Sequence, residues 1–283
     1  MSPDILQTRR DQRVATSALA RCGSTIRLTF RPPFRWDAIG SFLGQRAIDG
    51  IDSFDGTRFT RIVNGEPVTI EPNGTNALRM TVPTPLARDI HALVVRARRT
   101  FDLTADPIAI DEHLRRDRLL RPLLTRRPGP RVPGAWEPFE VAIRAIVGQQ
   151  ITVRGTTTIM NRFFSEGQWS AAVFERNPGM PRARAEAIRT MAEAVENDPS
   201  ILTRGPSLDE TIERLTALKG IGPWTAHYIA MRALGEPDAF PHTDLGLRKA
   251  AKMIGIEPAR LLAHAERWRP WRAYATIALW ESL

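Results

Sequence analysis

Cysteine is almost absent: Cys22 is the only one in 283 residues. A single thiol excludes an intramolecular disulfide, a cysteine-ligated zinc site and a four-cysteine iron–sulfur cluster. Long apolar runs are missing too, and none approaches the roughly 20 residues needed to span a bilayer. The opening stretch MSPDILQTRRDQR lacks the apolar core of a secretory signal, so the expected location is cytoplasmic. Lysine is the third scarcity, with only Lys219, Lys249 and Lys252 among 40 basic residues, the other 37 being arginine. Against 31 acids this leaves a net charge of +9 and a pI near 10.9. Such an excess suits a polyanionic partner. An arginine-for-lysine skew in an alanine-rich chain is also what a GC-rich genome produces.

Residues 1–22 are polar, basic and poor in large apolar groups, and read as a flexible tail. Ser24–Phe30 alternates apolar and polar side chains, the period of a half-buried strand. Asp37 is placed to cap a helix over Ala38–Ile48. Three β-like runs follow near Thr57–Ile62, Pro67–Glu71 and Ala77–Val82. Asn64-Gly65 and Asn73-Gly74 separate them, and Asn-Gly is the strongest short hairpin signal. Thr84 can cap a helix over Pro85–Phe101, with Leu86, Ile90, Val94 and Ala97 along one stripe. Beyond residue 105 strand signals stop. Helical periodicity runs through Asp111–Leu120, Pro138–Ile146, Thr152–Phe164, Ala183–Glu196, Leu208–Leu218, Trp224–Leu234, Leu245–Ile254, Pro258–Trp268 and Trp271–Glu281. The expected class is α+β: a small α+β domain over 23–104, then an all-helical domain over 105–283.

The stretch Leu218–Lys249 carries the clearest chemistry. Gly220-Ile221-Gly222 marks a hairpin between helices, where glycine permits positive φ and close approach of another backbone. Pro223 suits the first turn of the next helix. The free N–H groups of that helix start, around Thr225, would attract a phosphate. A plain helix–helix turn uses the same glycines, but the PWTA continuation favours a nucleic-acid backbone. About twenty residues on, Thr243-Asp244 opens another helix. Most such residues only cap. A carboxylate there can also stabilise a cationic sugar transition state or orient an attacking water. Trp224 and Tyr228 share a helix face at i, i+4. Trp268, Trp271, Tyr274 and Trp280 crowd the C-terminus, where Trp268 and Trp280 are expected in the core. Gly148-Gln149-Gln150 interrupts two amphipathic helices, as a polar loop or as a plug for the gap left by an extruded base.

Five blocks in order carry a resemblance: RPPFRW at 31–36, FEVAIRAIVGQQ at 139–150, GMPRARAEAI at 179–188, LKGIGPWTAHY at 218–228 and ERWRPWRAYA at 266–275. With them the chain, over about residues 22–283, resembles the AlkA-type 3-methyladenine DNA glycosylase II family of the helix-hairpin-helix base-excision superfamily. The resemblance implies a TATA-binding-protein-like N-terminal fold, a helical domain of two lobes with a cleft between them, and Asp244 as the catalytic aspartate. It implies Trp224, Tyr228, Trp271 and Phe42 as walls of a pocket for a flipped base, and Gln150 as the wedge entering double-stranded DNA, where the best-known members carry leucine. It further implies that carbonyls of Thr216, Leu218 and Ile221 hold Na+ or K+ bridging to the DNA phosphate. Relatives with lyase activity place lysine where Trp224 stands, so a monofunctional enzyme is implied, acting as a monomer without a catalytic cofactor. His242 stands where some members carry an acid and is expected to be a solvated loop residue. The expected activity is hydrolysis of the N-glycosidic bond of alkylated bases such as 3-methyladenine, with the positive charge of the base attracted by Trp224. Rival readings are a mismatch-adenine or endonuclease III-like enzyme, against which the single cysteine and Trp224 argue, and a DNA-binding module without catalysis.

Overall fold

The structure, a computed structural model, describes residues 23–164 and 180–283. The expected tail with Cys22, and Gly179 of the GMPRARAEAI block, lie outside them. The alternating segments build one antiparallel sheet. Strands β1 (Ser24–Thr29), β2 (Asp52–Phe54), β3 (Phe59–Val63), β4 (Glu66–Pro72) and β5 (Ala77–Val82) lie in the order β1-β5-β4-β3-β2. Asn64 and Gly65 take φ of 50° and 80°, the two positive angles of a tight turn that sets Val63 opposite Glu66. β2 had no signal of its own, because three residues are too few to show a period; its register comes from pairing Phe54 with Phe59.

Helix α1 (Trp36–Gly44) starts two residues before the expected Ala38, with Asp37 inside its first turn rather than capping it. A Cβ on Gly40 would come within 2.3 Å of the Phe54 ring, so glycine lets α1 lie directly on β2. The expected helix over Pro85–Phe101 divides into a 3-10 segment, Thr84–Asp89, and helix α2 (Ile90–Thr100). Leu93 and Ala97 of α2 and the following Phe101 pack on Leu28, Val68, Ile70 and Met80 of the sheet, forming the first core.

The helical part comprises α3 (Pro107–Leu114), α4 (Arg121–Arg126), α5 (Pro138–Val147), α6 (Val153–Phe164), α7 (Arg182–Asn197), α8 (Leu208–Thr216), α9 (Pro223–Arg232), α10 (Leu245–Met253), α11 (Leu261–Ala265) and α12 (Arg272–Trp280). The helix expected over Asp111–Leu120 begins earlier, because the Asp106 side chain accepts the Ala109 N–H and Pro107 fills the first turn. Helices α5 and α9 form the centre of the second core, where Ile143, Ile146, Ile229 and Met231 are fully buried. Trp268 is buried as expected, and its indole donates to Asp117 at 2.7 Å. No helix among the described residues is long and apolar enough to cross a membrane.

Residues 129–136 run buried between the two cores without regular structure. Buried carbonyls need donors, and arginines supply them. Arg232 donates to Pro133 and Gly134, and Arg99 to Ala135 and Trp136 at 2.9 and 2.8 Å. Ion pairs also cross the junction: Arg35 with Glu281, and Arg61 of β3 with Glu140 of α5. The second pair is nearly dry, with side-chain exposures of 7% and 12%. Removing one partner of such a pair strands the other charge, at a typical cost of about 3–5 kcal/mol. Arg61→Met is therefore expected to lower unfolding stability by about that much in urea titrations, whereas a change below about 0.5 kcal/mol would show that the pair does not hold the domains together.

Candidate active site

A cleft of about 1320 Å³ opens where the N-terminal domain meets the helices. Phe42 and Arg46 reach it from the end of α1, Gln149 and Gln150 from the α5–α6 turn, Trp224 and Tyr228 from α9, and Asp244 and Trp280 from opposite ends of the sequence of α10 to α12.

The hairpin at its edge assigns its two glycines different tasks. Gly220 has φ of +87°, and a Cβ there would fall 2.4 Å from that of Ala187, so both backbone and packing require glycine. Gly222 has φ of −85° and nothing within 4 Å of an added Cβ; it faces open space in front of α9. Buried Ile221 anchors the turn between them, and Pro223 opens α9. Gly222 is the N-cap, so the first N–H groups of α9 point outward from an exposed, positively polarised helix start. Thr225 is buried, and its hydroxyl accepts from Gln149, so its side chain braces the hairpin from within. The Leu218 carbonyl accepts the Ile221 N–H, which leaves it a second lone pair. Oxygen donors such as the carbonyls of Thr216, Leu218 and Ile221 fit a hard monovalent cation by type.

Asp244 caps α10 through the Leu247 N–H, at 2.7 Å. Its carboxylate also accepts two indole N–H groups, from Trp280 at 3.0 Å and Trp224 at 3.1 Å. Three donors on three sides leave part of one carboxylate edge for a reactant. Trp224 stacks on Tyr228 at 5.5 Å, and Tyr228 meets Trp280 at 6.2 Å. Trp280 thus belongs to the cleft rather than to the core where it was expected. Trp271 does not line the cleft and packs edge-on against Tyr274. The two tryptophans bracket α12, and nine residues at 1.5 Å each set them about 13 Å apart. Sequence offered three tryptophans in a crowded terminus, with nothing to say which of them faced the cleft.

The polar turn splits in the same way. Gln149 donates to the Gly220 carbonyl at 3.1 Å and to Thr225 at 3.0 Å, tying the turn to the hairpin. Gln150 is exposed at φ of 63°, next to exposed Ile151 and Val153. His242 is half-buried.

Three guanidiniums went unnoticed in the sequence, although arginine inside the apolar runs VAIRAIV and IAMRAL is a buried-charge signal. Arg232 donates to the Tyr228 hydroxyl at 2.9 Å, Arg46 lies 3.6 Å over the Phe42 ring, and Arg144 donates to the Arg46 carbonyl. Among the described residues none of the three has a carboxylate within ion-pair distance. Burial brings Arg144 down to about 10. Burial alone would raise the Tyr228 phenol, but Arg232, Arg46 and Arg144 more than offset it and hold the phenol below its ordinary value. Burial, with Arg272 and His242 nearby, lowers His227 to about 4, and its Nδ1 accepts the Phe240 N–H at 3.2 Å. That bond fixes the segment leading to Asp244.

The family model for the AlkA N-terminal domain matches residues 25–137. A probable bifunctional transcriptional activator/DNA repair enzyme AlkA of Mycobacterium tuberculosis is 33% identical over all of this chain, which spans about 62% of that protein's length. DNA-3-methyladenine glycosylase 2 of Escherichia coli is 27% identical over 89% of this chain and 95% of its own. DNA-3-methyladenine glycosylase 1 of Schizosaccharomyces pombe is 31% identical over 52% of this chain and 72% of its own. Among solved structures, a 3-methyladenine DNA-glycosylase from Archaeoglobus fulgidus shares the fold, with a TM-score of 0.76 at 21% identity over 90% of this chain and 97% of its own.

Gly220→Ala is expected to cost more than about 1 kcal/mol from the left-handed backbone alone, plus the clash with Ala187. Gly222→Ala, free of both, should cost about 1 kcal/mol or less; equal losses in thermal unfolding would contradict this division of labour. His227, depressed from 6.5 to about 4, favours folding fully above 6.5 and loses that contribution as pH falls through 4. Denaturation midpoints of the natural chain should therefore fall between pH 6.5 and 4 more steeply than those of His227→Leu. Parallel slopes would remove His227 as the cause.

Proposed function

The chain belongs to the AlkA-type 3-methyladenine DNA glycosylases of the helix-hairpin-helix base-excision superfamily, and from this we propose that it is a monofunctional glycosylase. Its proposed substrate is double-stranded DNA carrying damaged, chiefly alkylated, bases, handled by one chain at a time. The observation that carries the reading is Asp244, held by two indoles and a helix start at the wall of the cleft beside the hairpin.

A base inside a duplex is out of reach, so the nucleotide is flipped out at a cost of a few kcal/mol. The outward N–H groups at the start of α9 grip a phosphate, with a monovalent cation on the carbonyls of Thr216, Leu218 and Ile221 as a further proposed bridge. Gln150, exposed in a left-handed conformation, is placed to fill the vacated stack. The base enters between Trp224, Tyr228, Trp280 and Phe42. As the bond from C1′ to the base nitrogen breaks, its electron pair leaves with the base and the sugar becomes an oxocarbenium-like cation. The Asp244 carboxylate stabilises that charge. Water adds to C1′ and gives a proton to Asp244, leaving an abasic site and a free base.

The absence of a nucleophilic amine supports hydrolysis without strand cleavage. No lysine lines the cleft among the described residues, and exposed Lys219 is paired with Glu186 at 2.8 Å. A Schiff base therefore has no donor there.

Asp244→Asn tests the reading. The Asn oxygen can keep the cap, while its amide faces the Trp224 N–H and the negative charge is gone. Single-turnover base release from alkylated duplex DNA is expected to fall by about 10²–10⁴-fold, with duplex affinity retained. Equal release by both proteins would return Asp244 to a capping role. Binding without release by the natural chain would make it a DNA-binding module.

A further inference from the structure

Resting on the glycosylase reading with Gln150 as its wedge, we propose that Gln149 is a positioning residue that couples the phosphate grip to the extrusion of the base. It sets the distance between the hairpin, which holds the DNA backbone, and Gln150, which fills the vacated stack.

The first observation is where the Gln149 amide directs its donors. Both go to the hairpin, one on each side of Gly222: to the Gly220 carbonyl at 3.1 Å and to the Thr225 hydroxyl at 3.0 Å. A carboxamide nitrogen carries two N–H groups, so the donor capacity of this side chain is used in full. The Gly220 carbonyl can only accept, which fixes the orientation of the amide. Helices α5 and α9 meet in the second core, but the turn and the hairpin lie at their tips, where Gln150, Gly220 and Gly222 are exposed. The backbone bonds of the turn stay local: Gly148 donates to the Arg144 carbonyl and Ile151 to the Gly148 carbonyl. Among the described residues, the hydrogen bonds that run from one tip to the other are those of Gln149.

The second observation is the helix behind both tips. Arg184, in the first turn of α7, donates to the Gln149 carbonyl. That carbonyl belongs to the peptide joining Gln149 to Gln150, so the bond orients the plane from which Gln150 leaves at φ of 63°. A left-handed backbone at a residue other than glycine is strained and persists only where its surroundings impose it. The same helix supports the hairpin. Ala187 occupies the space that a Cβ on Gly220 would need, and Glu186 pairs with Lys219 at 2.8 Å. Grip and wedge therefore share one backing helix and one direct tie.

Extrusion requires the plug to arrive where the base has left while the phosphate is still held. A misplacement of about 1 Å can cost about 10²-fold in rate. A lesion that is already unpaired needs far less of this coordination, because its extrusion costs least. Gln149 acts on this step through Gln150 and the hairpin, and not on the glycosidic bond.

The test compares single-turnover release of 7-methylguanine from two duplexes, with the lesion paired to cytosine or standing in a one-nucleotide bulge, each corrected for spontaneous loss. Gln149→Met keeps an unbranched side chain and removes both donors. It should lower the ratio of paired to bulged release by about tenfold or more. Arg184→Gln, which loosens the same turn from α7, should lower the ratio in the same direction. Damage to the fold or to the chemistry would slow both substrates alike and leave the ratio where it was. Gln150→Ala should lower it too, and Gln149→Met added to that variant should lower it little further, since both act on one step. An unchanged ratio in Gln149→Met and Arg184→Gln, or losses that multiply in the double variant, would overturn the proposal. If the natural chain releases no base from either duplex, the glycosylase reading falls and takes this one with it.

Discussion

A buried stretch of irregular backbone constrains this molecule more than any other feature. Residues 129–136 pass between the core of the sheet and the core of the helices, where their carbonyls cannot reach water. No helix or strand satisfies them, and a carbonyl left unpaired there would cost roughly 1–3 kcal/mol. Arginine suits the task, with five donors in a rigid fork and a charge that survives burial. Arg99 comes from the sheet side and Arg232 from α9, so the same segment is clasped from both domains. The packing is tight enough that a Cβ on Gly134 would fall 2.2 Å from the Arg99 carbonyl oxygen. Domain orientation, and with it the cleft, depends on this seam.

The seam gives part of the arginine excess a meaning that composition left open. Arg99, Arg131, Arg144 and Arg232 bond backbone carbonyls inside the protein, so part of the arginine excess serves the fold itself and not only a polyanionic partner. Arg232 does two things at once, since the guanidinium that closes the seam also holds the Tyr228 hydroxyl at the cleft wall. Structure and site share a side chain, which couples the way the domains meet to the electrostatics of the cleft.

How far the sequence could be read follows from the range of each interaction. Turns and caps were legible because they are local: Asn64-Gly65 forms its tight turn, Asp244 caps α10, and the glycine hairpin lies between α8 and α9. Asp244 was singled out from its place at a helix start, before any partner was known. Its partners were not legible. Trp280 comes from 36 residues away, and only the packing of α12 decides that it, rather than Trp271, turns toward the carboxylate. Gln149 and Gln150 are adjacent and chemically identical, yet one is bonded across to the hairpin and the other is turned outward by a left-handed φ. Such choices are made by tertiary contacts, and no local pattern records them.

Charge in the cleft is distributed with a direction. A carboxylate stands at the end bounded by the two indoles and α10, and guanidiniums stand around Tyr228 and Phe42. In the proposed reaction, breaking the glycosidic bond puts positive charge on the sugar whichever damaged base leaves. A carboxylate already held in place by two indoles and a helix start can act on that charge without reorganising. The three donors that orient Asp244 therefore matter to the proposed chemistry as much as the carboxylate itself.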